Sequence, residues 1–111
     1  MTANGKAILV VAGGRNVDSE YLDTVEILDT STSNSKWIPG PNIPLKLEGL
    51  VLITSPTGKG VIIMGGEKES CENSKAMFEL SDSMEWTRLE ETLQYDHHYP
   101  LVIPIGDDLG L

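Results

Sequence analysis

Two apolar runs set the rhythm of this chain: AILVVAGG, Ala7 to Gly14, and GVIIMGG, Gly60 to Gly66. Each ends in a glycine pair and follows a glycine–lysine step, Gly5-Lys6 or Gly58-Lys59. Each is followed by a polar loop, a shorter apolar run and a tryptophan. The glycine pairs stand 52 positions apart, and Trp37 and Trp86 stand 49 apart. A period near ~50 marks copies of one structural unit.

The pattern between these landmarks predicts strands throughout. Asn4-Gly5 is a hairpin signal, since both residues tolerate the positive φ of a tight turn. Ile8 to Val11 are nearly continuous and β-branched, the pattern of a strand buried on both faces. Gly13-Gly14 end that strand and predict a bulge or a close approach by a neighbour. Arg15 to Glu20 form a polar loop and Tyr21 to Leu28 the next strand. A turn over Thr30 to Ser35 leads to a short strand carrying Trp37. Pro39 to Pro44 lack the donors for a helix or a central strand and predict an extended connector. Leu45 to Thr54 form a strand, Pro56-Thr57-Gly58 a turn, and Gly60 to Gly66 the second copy of the opening run. Glu67 to Ser74 repeat the charged loop, Ala76 to Leu80 a strand, Ser81 to Met84 a turn, and Trp86 a short strand. Glu90 to Asp96 connect to a last strand over Tyr99 to Ile105. No helical periodicity competes, and strands every ~8 to 12 residues predict an all-β chain.

Apolar run, Gly-Gly, polar loop, strand, turn, Trp and proline connector together resemble the kelch repeat, a four-stranded antiparallel blade of a β-propeller. Gly13, Gly14, Trp37 and Pro41 or Pro44 match in the first copy. Gly65, Gly66 and Trp86 match in the second, and His97 or His98 falls where the family often opens its next blade. The family's third-strand tyrosine is replaced by Leu28 in the first copy and by Phe78 or Leu80 in the second. No proline follows Trp86 before Pro100. The resemblance divides residues 1–111 into a repeat over about 5–46, a second over about 47–96, and the start of a further blade over 97–105. It implies strands two to four of one blade, all four of the next, and one more first strand. Propellers close with about 4 to 8 blades, so the expectation is a partial propeller. It would be a piece of a larger one, a subunit that completes one as a homo-oligomer, or a truncated product.

Charge narrows the partners. Eight Lys and Arg against 17 Asp and Glu give a net charge of -9, which opposes binding to nucleic-acid phosphates and to anionic membranes. The opening apolar run, Ala7 to Ala12, is shorter than the ~7 to 15 residues of a signal-peptide core. Cys71 is the single cysteine, which excludes an internal disulfide and fits a reducing, cytoplasmic compartment.

Candidate chemistry is sparse. Thr57-Gly58-Lys59-Gly60 lacks both the upstream glycine and the hydroxyl of a phosphate loop. Tyr95-Asp96-His97-His98-Tyr99 invites a copper reading, because kelch-like propellers include galactose oxidase, and a remnant of such an enzyme is the alternative. Adjacent His97 and His98 on a strand would point to opposite faces, so no metal and no cofactor is expected. Kelch-like propellers place the loops between second and third strands, and the connectors between blades, on one side of the disc. The resemblance therefore implies a non-enzymatic protein-interaction module whose loop face carries Arg15, Asn16, Asp18, Glu20, Lys46, Glu67, Lys68, Glu69, Glu72, Tyr95 and Asp96. That face is mainly acidic and suits a protein partner with a basic segment.

Overall fold

The computed structural model of the chain describes residues 2–3, 6–55 and 59–95. The turns expected at Asn4-Gly5 and Pro56–Gly58 and the strand expected at Tyr99–Ile105 lie outside the described residues. The described residues form an all-β, antiparallel structure. Its strands are β1 (Thr2–Ala3), β2 (Lys6–Ala12), β3 (Val25–Asp29), β4 (Ile38–Pro39), β5 (Leu47–Thr54), β6 (Val61–Lys68), β7 (Ala76–Leu80) and β8 (Trp86–Thr92). They make two four-stranded meanders, β1-β2-β3-β4 and β5-β6-β7-β8. No helix among them is long and apolar enough to cross a membrane.

The second meander repeats the first at the level of backbone geometry. In the β2–β3 loop, Asn16 N–H donates to Glu20 O (3.1 Å), Ser19 N–H to Asn16 O (3.0 Å) and Leu22 N–H to Gly14 O (2.8 Å). Shifted by 52 positions, Lys68 N–H donates to Glu72 O (2.8 Å), Cys71 N–H to Lys68 O (2.9 Å) and Ser74 N–H to Gly66 O (2.8 Å). Ser19 (φ 63°) and Cys71 (φ 67°) hold the same left-handed position in the two loops. The shift survives across the central strands, because Val10↔Ile27 and Ala12↔Val25 become Ile62↔Glu79 and Met64↔Met77. It falls to 49 at the last strand, where Ile27↔Ile38 corresponds to Glu79↔Thr87. The first unit's β3–β4 turn is three residues longer, which accounts for the shorter spacing of the tryptophans.

The glycine pairs act as spacers. All four glycines have positive φ: 68° at Gly13, 98° at Gly14, 74° at Gly65 and 88° at Gly66. A Cβ on Gly13 would lie 2.8 Å from Leu50 Cδ2 and 2.9 Å from Leu47 O, and one on Gly66 3.0 Å from Glu48 O. The glycines thus admit the start of β5, which reaches both units. Gly14 N–H donates to Leu47 O (2.7 Å) and Leu47 N–H to Leu22 O (3.1 Å), while Leu47 is also in register with Lys68. Gly49 (φ 70°) falls opposite Gly66 in that register, and its left-handed backbone lies where β5 passes from one unit to the other.

The sheets stack face to face. Ile8, Val25 and Ile27 of the first and Ile63, Ala76 and Phe78 of the second share one core with Ile43 and Leu47. Trp86 packs against that core, and its Nε1–H donates to Pro41 O at 2.8 Å.

Several elements differ from the sequence expectation. Gly65-Gly66 lie inside β6 rather than at its end, because β5 continues alongside them as far as Leu47. The third strand of the first unit starts at Val25, not Tyr21, since Tyr21 is held in the loop by its bridge to Arg15. Trp37 precedes β4, and β8 runs on to Thr92. Thr2–Ala3 pair with Lys6–Ala7 and supply a two-residue first strand where the strand count predicted none. Finally, β2 is buried on one face only. Ile8 is 7% exposed, but Leu9 is 52% and Val11 50%.

Candidate binding face at the loop end

The meander topology sends the β2–β3 loop, the connector into β5 and the β6–β7 loop to one end of the stacked sheets. The bonds through Leu47 hold the first two beside the start of β5. Leu93 N–H donates to Lys75 O (2.8 Å), which returns the chain after β8 to the same end.

Each loop is shaped by its own residues. The Asn16 carboxamide organises the first: its Oδ1 accepts from the N–H groups of Asp18 and Glu20, both at 3.0 Å, and its Nδ2 donates to Glu20 Oε1 at 3.1 Å. This is the Asx-turn chemistry that lets asparagine replace backbone partners in tight loops. Bridges Arg15↔Tyr21 and Glu67↔Asn73 close the two loops at their bases.

Side chains then join the loops to each other. Arg15 Nη2 lies 3.8 Å from Glu48 Oε1, and Lys46 Nζ lies 3.7 Å from Glu69 Oε1. Both pairs have solvent-exposed members, so each contributes at most about 1 kcal/mol. Their consequence is electrostatic: each cation sits against a carboxylate, and the exposed Asp18, Glu20 and Glu72 leave an acidic surplus. Tyr21 OH donates to Glu67 Oε1, linking first loop to second. That hydrogen bond, reinforced by desolvation and by the charges of Glu67 and Glu48, pushes the Tyr21 phenol up to about 12.

Of the residues expected at this face, Arg15 and Glu67 lie at the loop bases, and Lys46 and Glu69 form the pair that spans connector and second loop. Asn16, Asp18 and Glu20 lie together in the first loop, and Lys68 and Glu72 are hydrogen-bonded across the second. Tyr95 is 67% exposed and pairs with its neighbour Gln94, whose Nε2 lies 3.4 Å from its hydroxyl. Asp96, His97 and His98 lie outside the described residues. Among the described residues, no group of three or more His, Cys, Asp or Glu could hold a metal ion.

Two members of the cluster were not singled out from sequence. Tyr21 reads as the first residue of a strand, and Glu48 as an ordinary strand position. The signal for Tyr21 was spacing: it follows Arg15 by the same interval as Asn73 follows Glu67.

An apolar groove of about 450 Å³ lies elsewhere, between the short β4 and the β7–β8 turn, with Ile27, Ile38, Pro39 and Met84 in its wall. Beside it β4 pairs with Glu26 and Ile27, and among the described residues no strand covers the rest of that edge of β3.

No protein-family model matches the chain, and no curated protein matches it significantly.

Proposed function

We propose that the chain is a kelch-like, non-enzymatic interaction module that binds a protein partner with a basic segment through its acidic loop end. Support for the kelch-like reading comes from two four-stranded meanders with matching glycine pairs and matching loop bonds. The observation that carries the binding reading is the pairing of Arg15 with Glu48 and Lys46 with Glu69, which leaves the acids of both loops in surplus at one end. Loops on a rigid sheet scaffold are the usual place for recognition. A surface of one charge sign also steers an oppositely charged partner.

Fluorescence anisotropy with a labelled ten-lysine peptide tests this reading, with a ten-glutamate peptide as control. Saturable binding of the lysine peptide alone is expected, weakening as salt is added. The combined variant Asp18→Asn, Glu20→Gln, Glu72→Gln should bind roughly tenfold more weakly, through lost charge complementarity. Unchanged binding in that variant, or no binding by the parent chain, would reject the reading.

A further inference from the structure

Within the chain, the two units meet through unlike faces. The first unit contributes the face of Ile8, Val25 and Ile27, and the second that of Ile63, Ala76 and Phe78. The 52-residue shift carries Val10, Ala12 and Val25 to Ile62, Met64 and Met77. These three lie on the opposite face of β6 and β7 from Ile63 and Phe78, because successive strand residues alternate sides. In the other direction the shift carries Val61, Ile63 and Leu80 to Leu9, Val11 and Leu28. Among the described residues, two sheet faces therefore point away from the shared core, one equivalent to each half of the internal interface.

Both outward faces are apolar. On the second sheet two cross-strand rows, Ile53–Ile62–Glu79 and Val51–Met64–Met77, lie on the side away from the shared core, half-buried except for Met64, which is 8% exposed. On the first, Leu9 is opposite Leu28 and Val11 opposite Glu26. Trp37, one step beyond the Ile27↔Ile38 pair, falls opposite Leu28. Trp37 is also the register counterpart of Trp86, whose indole clamps the neighbouring unit at Pro41, yet Trp37 is 46% exposed. Leu9 and Val11 are half-exposed where their counterparts Val61 and Ile63 are 1% and 0% exposed. A patch of this kind on a sheet marks an interaction surface.

We infer that the occupant of each outward face is a second copy of this chain. The outer side of one copy's second sheet packs on the Leu9, Val11, Leu28 and Trp37 side of the next copy's first sheet, continuing the internal stack. The contact joins unlike surfaces, so it is head-to-tail and either closes into a ring or propagates. With ~4 to 8 sheets in a closed propeller, a ring holds two to four copies. This association stands apart from whatever the loop end binds.

Light scattering during size-exclusion chromatography tests it on the full chain, with circular dichroism on each peak. The parent chain should run as an assembly of more than one copy at about 100 µM. Val11→Glu blocks one face and Ile62→Glu the other, so each variant alone should be monomeric. An equimolar mixture should give a dimer, because each variant keeps the face the other has lost. Ile53→Glu, on the edge strand β5, replaces Ile62→Glu if the latter loses its β signal. A parent chain that stays monomeric at ~100 µM would overturn the inference and leave the loop-end reading untouched. So would an Ile62→Glu variant that still dimerises, since that contact would join two first-sheet faces.

Discussion

The second sheet has outer strands of eight and seven residues, where the first has two and two. Their central strands nevertheless share register, glycine spacing and loop bonds. Of the five most completely buried large side chains among the described residues, Leu47, Ile63, Leu80 and Val61 belong to the second sheet and Val25 alone to the first. Full burial of such a side chain contributes about 1.5–3 kcal/mol, so the second sheet gains more from burial than the first. Leu9 and Val11 are of the same apolar type as Val61 and Ile63, but among the described residues no sheet lies over them. Burial here is decided by the presence of a neighbour rather than by the residues of the strand.

The largest expected effect comes from the face the two sheets share. Phe78→Ala should cost about 3–5 kcal/mol, as a transfer loss plus a cavity, and should lower the stability of both sheets together. Urea unfolding followed by far-UV circular dichroism and by tryptophan emission should then show one shifted transition. Two separated transitions would mean that the sheets do not share a core. Leu9→Ala, on the open face, should cost less than about 1 kcal/mol in dilute solution.

The glycines sharpen the contrast. Gly14 and Gly66 are equivalent and both left-handed, but nothing lies within 4 Å of a Cβ on Gly14, whereas one on Gly66 meets Glu48 O at 3.0 Å and Leu50 Cβ at 3.1 Å. Gly14→Ala should cost only the left-handed penalty of about 1–2 kcal/mol. Gly66→Ala should cost that and a displaced β5, a total of roughly 3 kcal/mol. Equal melting shifts for the two would remove β5 from its place against Gly66.

Smaller again is the difference between the tryptophans. Trp86→Phe removes the Nε1–H bond to Pro41 O and should cost about 1 kcal/mol. Trp37→Phe should stay within about 0.5 kcal/mol in dilute solution. Equal losses in thermal unfolding would contradict the assignment of the clamp to Trp86 alone.

The smallest effect is confined to alkaline pH. Tyr21 has a folded-state value raised from 10.0 to about 12. Its contribution is therefore fully present below about pH 10 and lost as pH rises towards about 12. Tyr21→Phe should remove this part of the alkaline loss in melting temperature, so the parent and variant curves should converge above pH 10. Parallel curves would mean that Tyr21 does not hold Glu67.

The fold class was legible from alternation, turn residues and the doubled glycine pair. Ala76 to Leu80 was expected at the bounds observed, because Ser74-Lys75 and Ser81-Asp82 delimit an uninterrupted strand pattern. The faces of β2 were not legible. Ile8 to Val11 read alike on both sides, and only the placement of the second sheet distinguishes Val10 from Leu9. Most of the loop-end residues were legible from their position after the glycine pairs, where a meander must turn. Tyr21 and Glu48 were hidden because their partners lie in the other unit, 46 residues away for Tyr21 and Glu67.

Amide hydrogen exchange along the parent chain addresses most directly the claim that two copies of one unit share a core. The slowest amides should lie in β6 and β7, flanked by long strands on both sides. Those of β2 and β3 should exchange faster, yet remain strongly protected through their contact with the second sheet. Exchange of β2 and β3 at unstructured rates beside a protected β6 and β7 would contradict the shared core.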